Sequence, residues 1–395
     1  MTDAVSFLVD LIRCPSVTPN DAGTLDRITA WLQPMGFTCV RLPFGAGKDR
    51  VDNLFAHRGQ GGPHLCFAGH VDVVPTGPLQ DWIHPPFSGT LDQGKIWGRG
   101  AADMKGAIAA FLAALHTIPQ DHNGTLSLLL TADEEGPGIH GTKPVLSWLK
   151  DNHLLPDMAL VGEPTSGNAV ADTIKIGRRG SLNAVITVHG TQGHVAYPHF
   201  AHNPLHDAVA ILGILLQQPL DQGHPHFDPS GLQITSVDTG NGTTNIIPPS
   251  CTVRLNIRFN AHHTAQSLSD HLHHACQRVL PQGPAAGPHY TLTTDCSSEA
   301  FFTDAHHPLV QTVTRVIQDI TGTPPALSTS GGTSDARFIK DYCPVVELGL
   351  PNATIHKLNE HCDVGDLMRL SQIYAGILGV WLKKNPVKAN YTPRK

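Results

Sequence analysis

The chain has 395 residues, a formal net charge of −6 at pH 7 and 15% charged residues. This length favours two domains over one. The acidic balance gives no electrostatic reason to expect binding to nucleic acid or to an anionic membrane. Even the longest apolar runs, such as residues 208–216, are far shorter than the ~20 residues that a membrane span needs. We therefore expect a globular protein that binds neither nucleic acid nor membranes.

The cysteine usage indicates a reducing compartment. Eight cysteines are scattered between Cys14 and Cys362 without a C-x-x-C pair, which suits packed thiols better than a disulfide framework. Residues 1–17 include Asp3 and Asp10 and lack a basic leader followed by an apolar block, so we expect no signal peptide. Together these features predict a cytoplasmic protein.

Helical and strand-like segments alternate over the first 160 residues. The spacing of apolar residues predicts helices at 4–13, 24–35, 105–117 and 142–152, and strands at 37–42, 51–57, 64–68, 126–130 and 158–161. Strands that alternate with helices favour an α/β fold with a mostly parallel central sheet covered on both faces.

The pattern changes near residue 180. Predicted strands at 181–189, 232–239, 250–259 and 289–295 and helices at 204–217 and 264–280 follow the β-α-β-β-α-β order of a ferredoxin-like domain. The first pattern then resumes, with a helix at 307–321, a strand at 344–348 and a helix at 364–383. We therefore expect a discontinuous catalytic domain, residues 1–179 and 296–395, with an inserted domain at 180–295.

Metal-binding side chains follow several of the predicted strands. These candidates are His70, Asp103, Glu134, Glu135 and Glu163, with His356 in the loop after the strand at 344–348. Parallel strands bring their carboxyl ends to one edge of the sheet, where such folds place their sites. Nitrogen and carboxylate ligands without thiolates suit zinc or cobalt in a hydrolytic centre. Asp72 shares a face with His70 in an extended chain and is expected to orient its ring.

The charges of these side chains suit two divalent ions. Asp103, Glu163, one glutamate of the adjacent pair and a bridging hydroxide balance the four positive charges, and Asp103 would bridge the two ions. Neighbouring Glu134 and Glu135 point in different directions, so one can bind metal while the other acts as general base on the water. We assign Glu134 as the base and Glu135 as the ligand, although the spacing also allows the reverse.

Each of these residues taken singly also fits an ordinary structural role. Glu134 and Glu135 could be the acids that favour a helix N-terminus, while Glu163 and His356 could be solvated loop residues. Their joint placement at the strand ends of one predicted sheet favours the metal site.

Loops of the inserted domain offer groups that could bind substrate. His194 and Asn245 could donate hydrogen bonds to a developing oxyanion. Guanidinium groups could hold substrate carboxylates or instead form surface salt bridges, and the candidates are Arg178, Arg179 and Arg258. The segment 328–337 is rich in small hydrogen-bond donors, which favours a carboxylate-binding loop over a plain linker.

Nine segments together resemble the dinuclear-zinc aminoacylase/carboxypeptidase family over nearly the whole chain. They are GHVDVVPTG, WGRGAADMKG, DEEG, VGEPT, GRRGSL, GHVAYPH, TTNIIP, STSGGTSDARF and ATIHKLNE. The first four are found in looser form across that family, and the last five are similar to those of members that remove a succinyl group from diaminopimelate. The resemblance implies a zinc-peptidase-like catalytic domain and an inserted lid and dimerisation domain.

The expected reaction is hydrolysis of N-succinyl-LL-2,6-diaminopimelate to succinate and LL-2,6-diaminopimelate, in lysine and diaminopimelate biosynthesis. The alternatives are a sister amide hydrolase such as an acetylornithine deacetylase, a metallo-exopeptidase, or a non-catalytic binding module. The complete ligand set with its base argues against the last of these.

The resemblance also implies roles for individual residues. It implies two Zn²⁺ ions per subunit, with Co²⁺ as a substitute, held by His70 with Glu163, by Glu135 with His356, and by Asp103 as the bridge. It implies a homodimer formed through the inserted domain, with His194 and Asn245 reaching the active site of the partner subunit. Implied substrate contacts come from Arg178, Tyr197, Asn245, Arg258, Gly332, Thr333, Arg337 and Asn352. The Thr-Ile-His setting favours His356 over the nearby His361 as the ligand.

Overall fold

A computed structural model of the chain describes residues 3–280 and 289–382. The described helices are α1 Asp3–Ile12, α2 Thr24–Leu32, α3 Lys105–Leu115, α4 Thr142–Asp151, α5 Pro204–Leu216, α6 Ala265–Val279, α7 Pro308–Thr321, α8 Ala336–Ile339 and α9 Val364–Trp381. The described strands are β1 Thr38–Arg41, β2 Leu54–Gln60, β3 His64–His70, β4 Thr90–Asp92, β5 Lys95–Trp97, β6 Gly124–Thr131, β7 Met158–Val161, β8 Thr173–Lys175, β9 Gly177–Arg178, β10 Gly180–His189, β11 Gly193–His194, β12 Gly231–Asp238, β13 Ile246–Ile247, β14 Ser250–Phe259, β15 Tyr290–Ser298, β16 Phe301–Phe302, β17 Ala326–Ser328, β18 Val345–Glu347 and β19 His361–Asp363. None of the described helices combines the length and hydropathy that a bilayer span requires.

The described residues form two compact units. The first unit contains residues 3–176, 303–328 and 334–382, and the second contains 177–280, 289–302 and 329–333. The domain boundaries expected at residues 180 and 295 stay a prediction, and residues 383–395 of the expected second catalytic segment lie outside the described residues.

An eight-stranded sheet forms the centre of the first unit, in the order β1-β2-β6-β3-β7-β18-β8-β17. The pairs β6–β3, β3–β7, β7–β18 and β8–β17 are parallel, whereas β1–β2, β2–β6 and β18–β8 are antiparallel. The predicted α/β class with a mostly parallel central sheet is therefore confirmed.

Helices cover both faces of this sheet. On one face, Phe67 of β3 stacks on Phe111 of α3 and meets the edge of Tyr374 of α9. On the other face, Phe55 of β2 contacts Trp148 of α4, because the cross-strand register points Phe55 and Phe67 in opposite directions. Helix α3 is buried almost all round, which its Ala-rich sequence permits.

The predicted helix at 24–35 is shorter in the structure. Helix α2 ends at Leu32, and the next residues, Gln33–Met35, form a single 3₁₀ turn. Pro34 explains this end, because a proline lacks the N–H that a continued α-helix would use and its ring clashes with the preceding turn.

The second unit contains a four-stranded antiparallel sheet in the order β12-β14-β10-β15. Helices α5 and α6 contact each other and this sheet, and their apolar side chains form one core with it. Buried and exposed residues alternate along β14, as expected for a sheet with one face toward helices. The element order β10-α5-β12-β14-α6-β15 has the predicted β-α-β-β-α-β form of a split βαβ arrangement.

Candidate metal centre

Three adjacent parallel strands deliver acidic and imidazole side chains to one edge of the large sheet. His70 is the last residue of β3 and lies opposite Thr131, the last residue of β6. Strand β7 flanks β3 on its other side and ends at Val161. The Glu134-Glu135 turn and Glu163 follow directly after β6 and β7, so all of these groups reach the same edge.

His70 stands at the centre of the acidic cluster. Its Nε2 lies 3.2 Å from Oδ1 of Asp103 and 3.7 Å from Oε1 of Glu163, and all three side chains are buried. Two groups of possible donor atoms each lie within 4.8 Å: those of His70, Asp103 and Glu135, and those of His70, Glu134 and Glu163. The structure therefore brings together the predicted metal-site residues that precede β8 in the chain.

His356 completes the second half of the cluster from the loop after β18. Its Nε2 lies 2.8 Å from Oε1 of Glu135 and 3.4 Å from Oδ2 of Asp103. Its side chain is 49% exposed, whereas that of Asp103 is buried. The two carboxylate oxygens of Asp103 thus face two different histidines, which is the arrangement of a carboxylate that bridges two ions.

Asp72 contacts both His70 and the acidic turn. The Nδ1 of His70 lies 2.9 Å from the backbone oxygen of Asp72 and 3.6 Å from its Oδ1. The carboxylate of Asp72 accepts hydrogen bonds from the backbone N–H groups of Glu134, at 3.3 Å, and Glu135, at 3.1 Å. Burial raises the pKa of Asp72 to about 6, although these bonds and His70 oppose that rise. The residue therefore orients the turn that presents both glutamates, as well as touching the imidazole.

The proton affinities of the cluster are strongly perturbed. Burial lowers the pKa of His70, but its hydrogen bond to Asp103 and the charges of nearby carboxylates outweigh that effect and raise the pKa well above its usual value. Burial raises the pKa of Glu134 to about 8, with Asp335 and Glu135 adding to the rise and His70 opposing it. Two histidine hydrogen bonds outweigh burial and depress the pKa of Asp103.

This donor set fits divalent cations. Five carboxylates, those of Asp72, Asp103, Glu134, Glu135 and Glu163, meet two imidazoles in a largely buried cluster. Buried negative charge in this excess is costly unless cations balance it. Carboxylate oxygens and imidazole nitrogens without thiolates are ligands that zinc and related ions accept. The residues present therefore suit a pair of divalent ions, with Asp103 between them.

The position of Asp103 depends on its neighbour Met104. A Cβ atom added to Gly69 would lie 2.3 Å from Cε of Met104, and one added to Gly162 would lie 2.5 Å from the same atom. The Met104 side chain thus fills the space that two glycines leave open at the ends of β3 and β7. This packing holds the start of α3, and with it Asp103, against the strand ends.

His361 makes different contacts from His356. Its Nε2 lies 3.0 Å from Nζ of Lys95, and its ring centroid lies 4.3 Å from that of Trp97. Neither histidine belongs to the two donor groups found among the described residues, but Nε2 of His356 lies 2.8 Å from Glu135 and 3.4 Å from Asp103. The geometry thus favours His356 as the ligand from this segment.

The second unit holds His194 and Asn245 side by side. Strand β11 pairs with β13, and the N–H of Val195 donates to the carbonyl oxygen of Asn245 at 3.1 Å. The Nδ1 of His194 accepts from the N–H of Ala196 at 3.1 Å, which fixes the ring locally. His194 and Asn245 are exposed, as is Tyr197, with 58% of its surface accessible.

Two other predicted substrate residues of this unit are also neighbours. The buried Arg178 donates from Nη1 to the carbonyl oxygen of Gly332 at 2.7 Å. This hydrogen bond ties Arg178 to the loop that contains Thr333. Arg258, by contrast, is exposed on β14, opposite Ser181 of β10.

The remaining predicted substrate residues lie in the first unit. The half-buried guanidinium of Arg337 is 4.6 Å from the ring centroid of Phe338, and its Nη2 approaches Gly138 in the loop that follows the acidic turn. Asn352 is exposed, and its N–H donates to the carbonyl oxygen of Ser166 at 3.0 Å.

Sequence reasoning gave no role to Arg99 and Glu360, which form a buried ion pair with a 2.8 Å contact. Both residues stand inside quoted segments, WGRGAADMKG and ATIHKLNE, close to a predicted ligand in each. Their closeness along the chain to Asp103 and His356 is the sequence feature that could have indicated a role near the metal centre.

The chain belongs to peptidase family M20/M25/M40, whose model matches residues 66–379. Among its relatives is the succinyl-diaminopimelate desuccinylase of Rhodospirillum centenum, 49% identical over 96% of this chain and 97% of that protein. The succinyl-diaminopimelate desuccinylase of Gluconacetobacter diazotrophicus is 51% identical over 95% of this chain and 96% of that protein.

A solved structure shares the fold at low sequence identity. It is a dinuclear metal-binding peptidase of the M20 family from Bacillus subtilis, with a TM-score of 0.66 and 17% identity over 96% of this chain and 97% of that one.

Proposed function

We propose that the chain hydrolyses N-succinyl-LL-2,6-diaminopimelate to succinate and LL-2,6-diaminopimelate, a step of lysine and diaminopimelate biosynthesis. The observation that carries the proposal is Asp103, whose two oxygens each face a different histidine within an acidic cluster. The substrate follows from relatives with this name at 49% and 51% identity over almost the whole chain.

The proposed centre holds two Zn²⁺ ions, for which Co²⁺ can substitute. His70 and Glu163 would hold one ion, Glu135 and His356 the other, and Asp103 would bridge them. When bound, the ions polarise the amide carbonyl and lower the pKa of a water molecule toward ~7. The contacts of His70 with Glu163, at 3.7 Å, and of His356 with Glu135, at 2.8 Å, support this assignment.

Glu134 is the proposed general base. It accepts a proton from the attacking water and gives it to the amide nitrogen as the carbon–nitrogen bond breaks, so that succinate and the free amine result. Asp72 holds the backbone of Glu134 and Glu135 through its carboxylate, which keeps the base and the neighbouring ligand in separate orientations.

Residues of the second unit are proposed to bind substrate. His194 would donate a hydrogen bond to the oxyanion, and the further contacts would come from Arg178, Tyr197, Asn245, Arg258, Gly332 and Thr333, together with Arg337 and Asn352 of the first unit. We further propose a homodimer formed through the inserted domain, in which His194 and Asn245 act at the active site of the partner subunit.

A cytoplasmic location completes the proposal. Six cysteines are buried as free thiols in the structure, which supports a reducing compartment.

The decisive experiment compares two substrates and two metal states of the purified chain. The protein is stripped of metal with a chelator, reloaded with Zn²⁺ or Co²⁺, and assayed with N-succinyl-LL-2,6-diaminopimelate and with N-acetylornithine. We expect metal-dependent turnover of the succinyl substrate that is lost in a Glu134→Ala variant. Efficient deacetylation without desuccinylation would leave the metal centre intact and refute the proposed substrate.

A further inference from the structure

The carboxylate of Glu360 is surrounded by donors from the loop that carries Asp103. Its Oε1 accepts from the backbone N–H groups of Ala102, at 3.0 Å, and Asp103, at 3.1 Å. Its Oε2 accepts from the N–H of Gly100, at 3.1 Å, and from Nη1 of Arg99, at 2.8 Å. Both oxygens are thus fully engaged in positioning the loop that ends at the bridging aspartate.

Strand pairing brings this glutamate to the loop. Strand β19 pairs with β5 so that His361 lies opposite Trp97. Glu360 immediately precedes β19, and residues 98–103 immediately follow β5, so the two segments meet. The N–H of Gly98 also donates to the backbone oxygen of Glu360 at 2.9 Å.

Arg99 extends the same network to two further loops. Its Nη1 donates to the carbonyl oxygen of Lys357 at 3.1 Å, next to the ligand His356. Its Nη2 donates to the carbonyl oxygen of Pro75 at 3.2 Å, in the segment that follows His70. The guanidinium also lies 5.2 Å from the ring centroid of Trp82. One side chain therefore ties together the loops that carry both histidines.

The stability of the fold alone does not account for this pair. A buried ion pair is often no more stabilising than apolar residues of the same volume, because desolvation opposes the attraction between the charges. The Arg99–Glu360 pair makes bonds to the three ligand-bearing segments instead of filling an apolar core.

We propose that Arg99 and Glu360 act as a positioning pair that holds Asp103 between His70 and His356. The second of the two metal ions to bind is then bound tightly only when this pair is intact. The inference rests on the proposed metal centre. It assigns the arginine of WGRGAADMKG and the final glutamate of ATIHKLNE to the geometry of the ligands, without contact to substrate.

Glu360→Gln is the sharpest test. Whichever oxygen the amide nitrogen replaces, its N–H groups face N–H donors: those of Arg99 and Gly100 in one orientation, those of Ala102 and Asp103 in the other. Half of the loop contacts are therefore lost in either case. Asp221→Asn is the matched control, because that carboxylate also accepts backbone N–H groups, from Gly223 and Ser230, in the second unit.

Arg99→Lys tests the other partner, and Arg58→Lys is its control. Arg58 is also buried, donates to the carbonyl oxygen of Met35 at 2.8 Å and lies 4.9 Å from the ring centroid of Phe37. Arg58 pairs with Leu126 near the start of β6. The acidic turn follows the other end of that strand, so Arg58 is far from it along the sheet. The two substitutions thus differ mainly in their relation to the ligand loops.

The measurements are Zn²⁺ titration of the metal-free full chain, metal content after dialysis, and the visible absorption of the Co²⁺ form. We expect the wild-type chain and both controls to bind two ions. In Glu360→Gln and Arg99→Lys the second ion should bind about 10–100-fold more weakly, with an altered Co²⁺ spectrum. At saturating metal, kcat should fall with little change in KM.

Three results would contradict either the positioning role or the metal centre. Folded Glu360→Gln and Arg99→Lys proteins that bind both ions as the wild type does would overturn the positioning role. Equal weakening in the Arg58→Lys control would overturn it too, since the effect would then be general destabilisation. A wild-type chain that binds fewer than two ions would refute the proposed metal centre itself. If Glu360→Gln does not fold, Glu360→Asp replaces it, since it keeps the charge and shortens the reach by one methylene.

Discussion

The two units present their candidate functional residues in opposite environments. In the first unit, His70, Asp103 and Glu163 are buried, and Nε2 of His70 lies 3.2 Å from Asp103 and 3.7 Å from Glu163. In the second unit, His194 and Asn245 are exposed and are held mainly by backbone pairing of β11 with β13. Buried charges need fixed partners before any ligand arrives, whereas exposed groups can be fixed by the substrate itself.

This difference separates two properties of the protein. Metal binding should belong to the first unit alone, and substitutions there should change metal affinity and folding stability together. Substitutions of the exposed loop residues in the second unit should change turnover and leave both of those properties intact.

The largest effect should come from Glu134→Gln. The amide preserves the volume of the side chain but cannot accept the proton of the attacking water, so kcat should fall about 10³-fold or more. Metal content, measured by mass spectrometry of the dialysed protein, should stay at two ions per chain. Loss of one ion in this variant, with retention in Glu135→Gln, would show that the ligand and the base have the reverse assignment.

His194→Ala should have the next largest effect on turnover. Loss of one oxyanion donor should lower kcat about 10²–10³-fold, while metal content and thermal stability stay at their wild-type values because the side chain is exposed. His274→Ala, which removes an exposed histidine of α6, is the matched control and should retain full activity.

Mixing inactive variants tests whether His194 acts on the partner subunit. An equal mixture of His194→Ala and Glu134→Gln chains should recover about a quarter of wild-type activity after subunit exchange, because half of the dimers then contain one intact site. No recovery from chains shown to exchange would place His194 at the site of its own subunit.

Gly69→Ala should disturb the buried region through Met104. The added methyl group would lie 2.3 Å from Cε and 3.0 Å from Sδ of Met104, so this side chain and the adjacent Asp103 must shift. We expect a loss of about 1–3 kcal/mol in the free energy of unfolding of the metal-free protein, together with weaker metal binding. Denaturant unfolding and Zn²⁺ titration measure the two effects, and unchanged metal affinity would contradict the role given to Met104.

The sequence was sufficient to bring the candidate ligands together because their signals are local. Runs such as 64–68 and 126–130 are long and apolar enough to predict strands, and each is closely followed by a polar ligand or acidic turn. Once the sheet is parallel, the ends of these strands must share an edge. His70, Glu135 and Glu163 were therefore brought together by pattern alone.

The supporting contacts could not be predicted in the same way. Strands β4, β5 and β19 have three residues each, too few to show a period, and β5 pairs with a segment more than 260 residues away. The partners of Glu360 are mostly backbone N–H groups, whose positions no side-chain pattern encodes. The role of Met104 likewise depends on glycines from two other strand ends.

The smallest expected effect is that of Gly213→Ala, the same substitution placed in the second unit. Gly213 lies within α5, and apart from its chain neighbours and the nearby helix backbone no atom lies within 4 Å of a Cβ added there. Because alanine favours the helix more than glycine does, the free energy of unfolding should rise by up to about 1 kcal/mol, with kcat and metal content unchanged. Denaturant unfolding in parallel with Gly69→Ala measures the opposite signs. A loss of stability or activity in Gly213→Ala would show that this face of α5 is covered in the assembled protein, since the isolated chain leaves room for the methyl group.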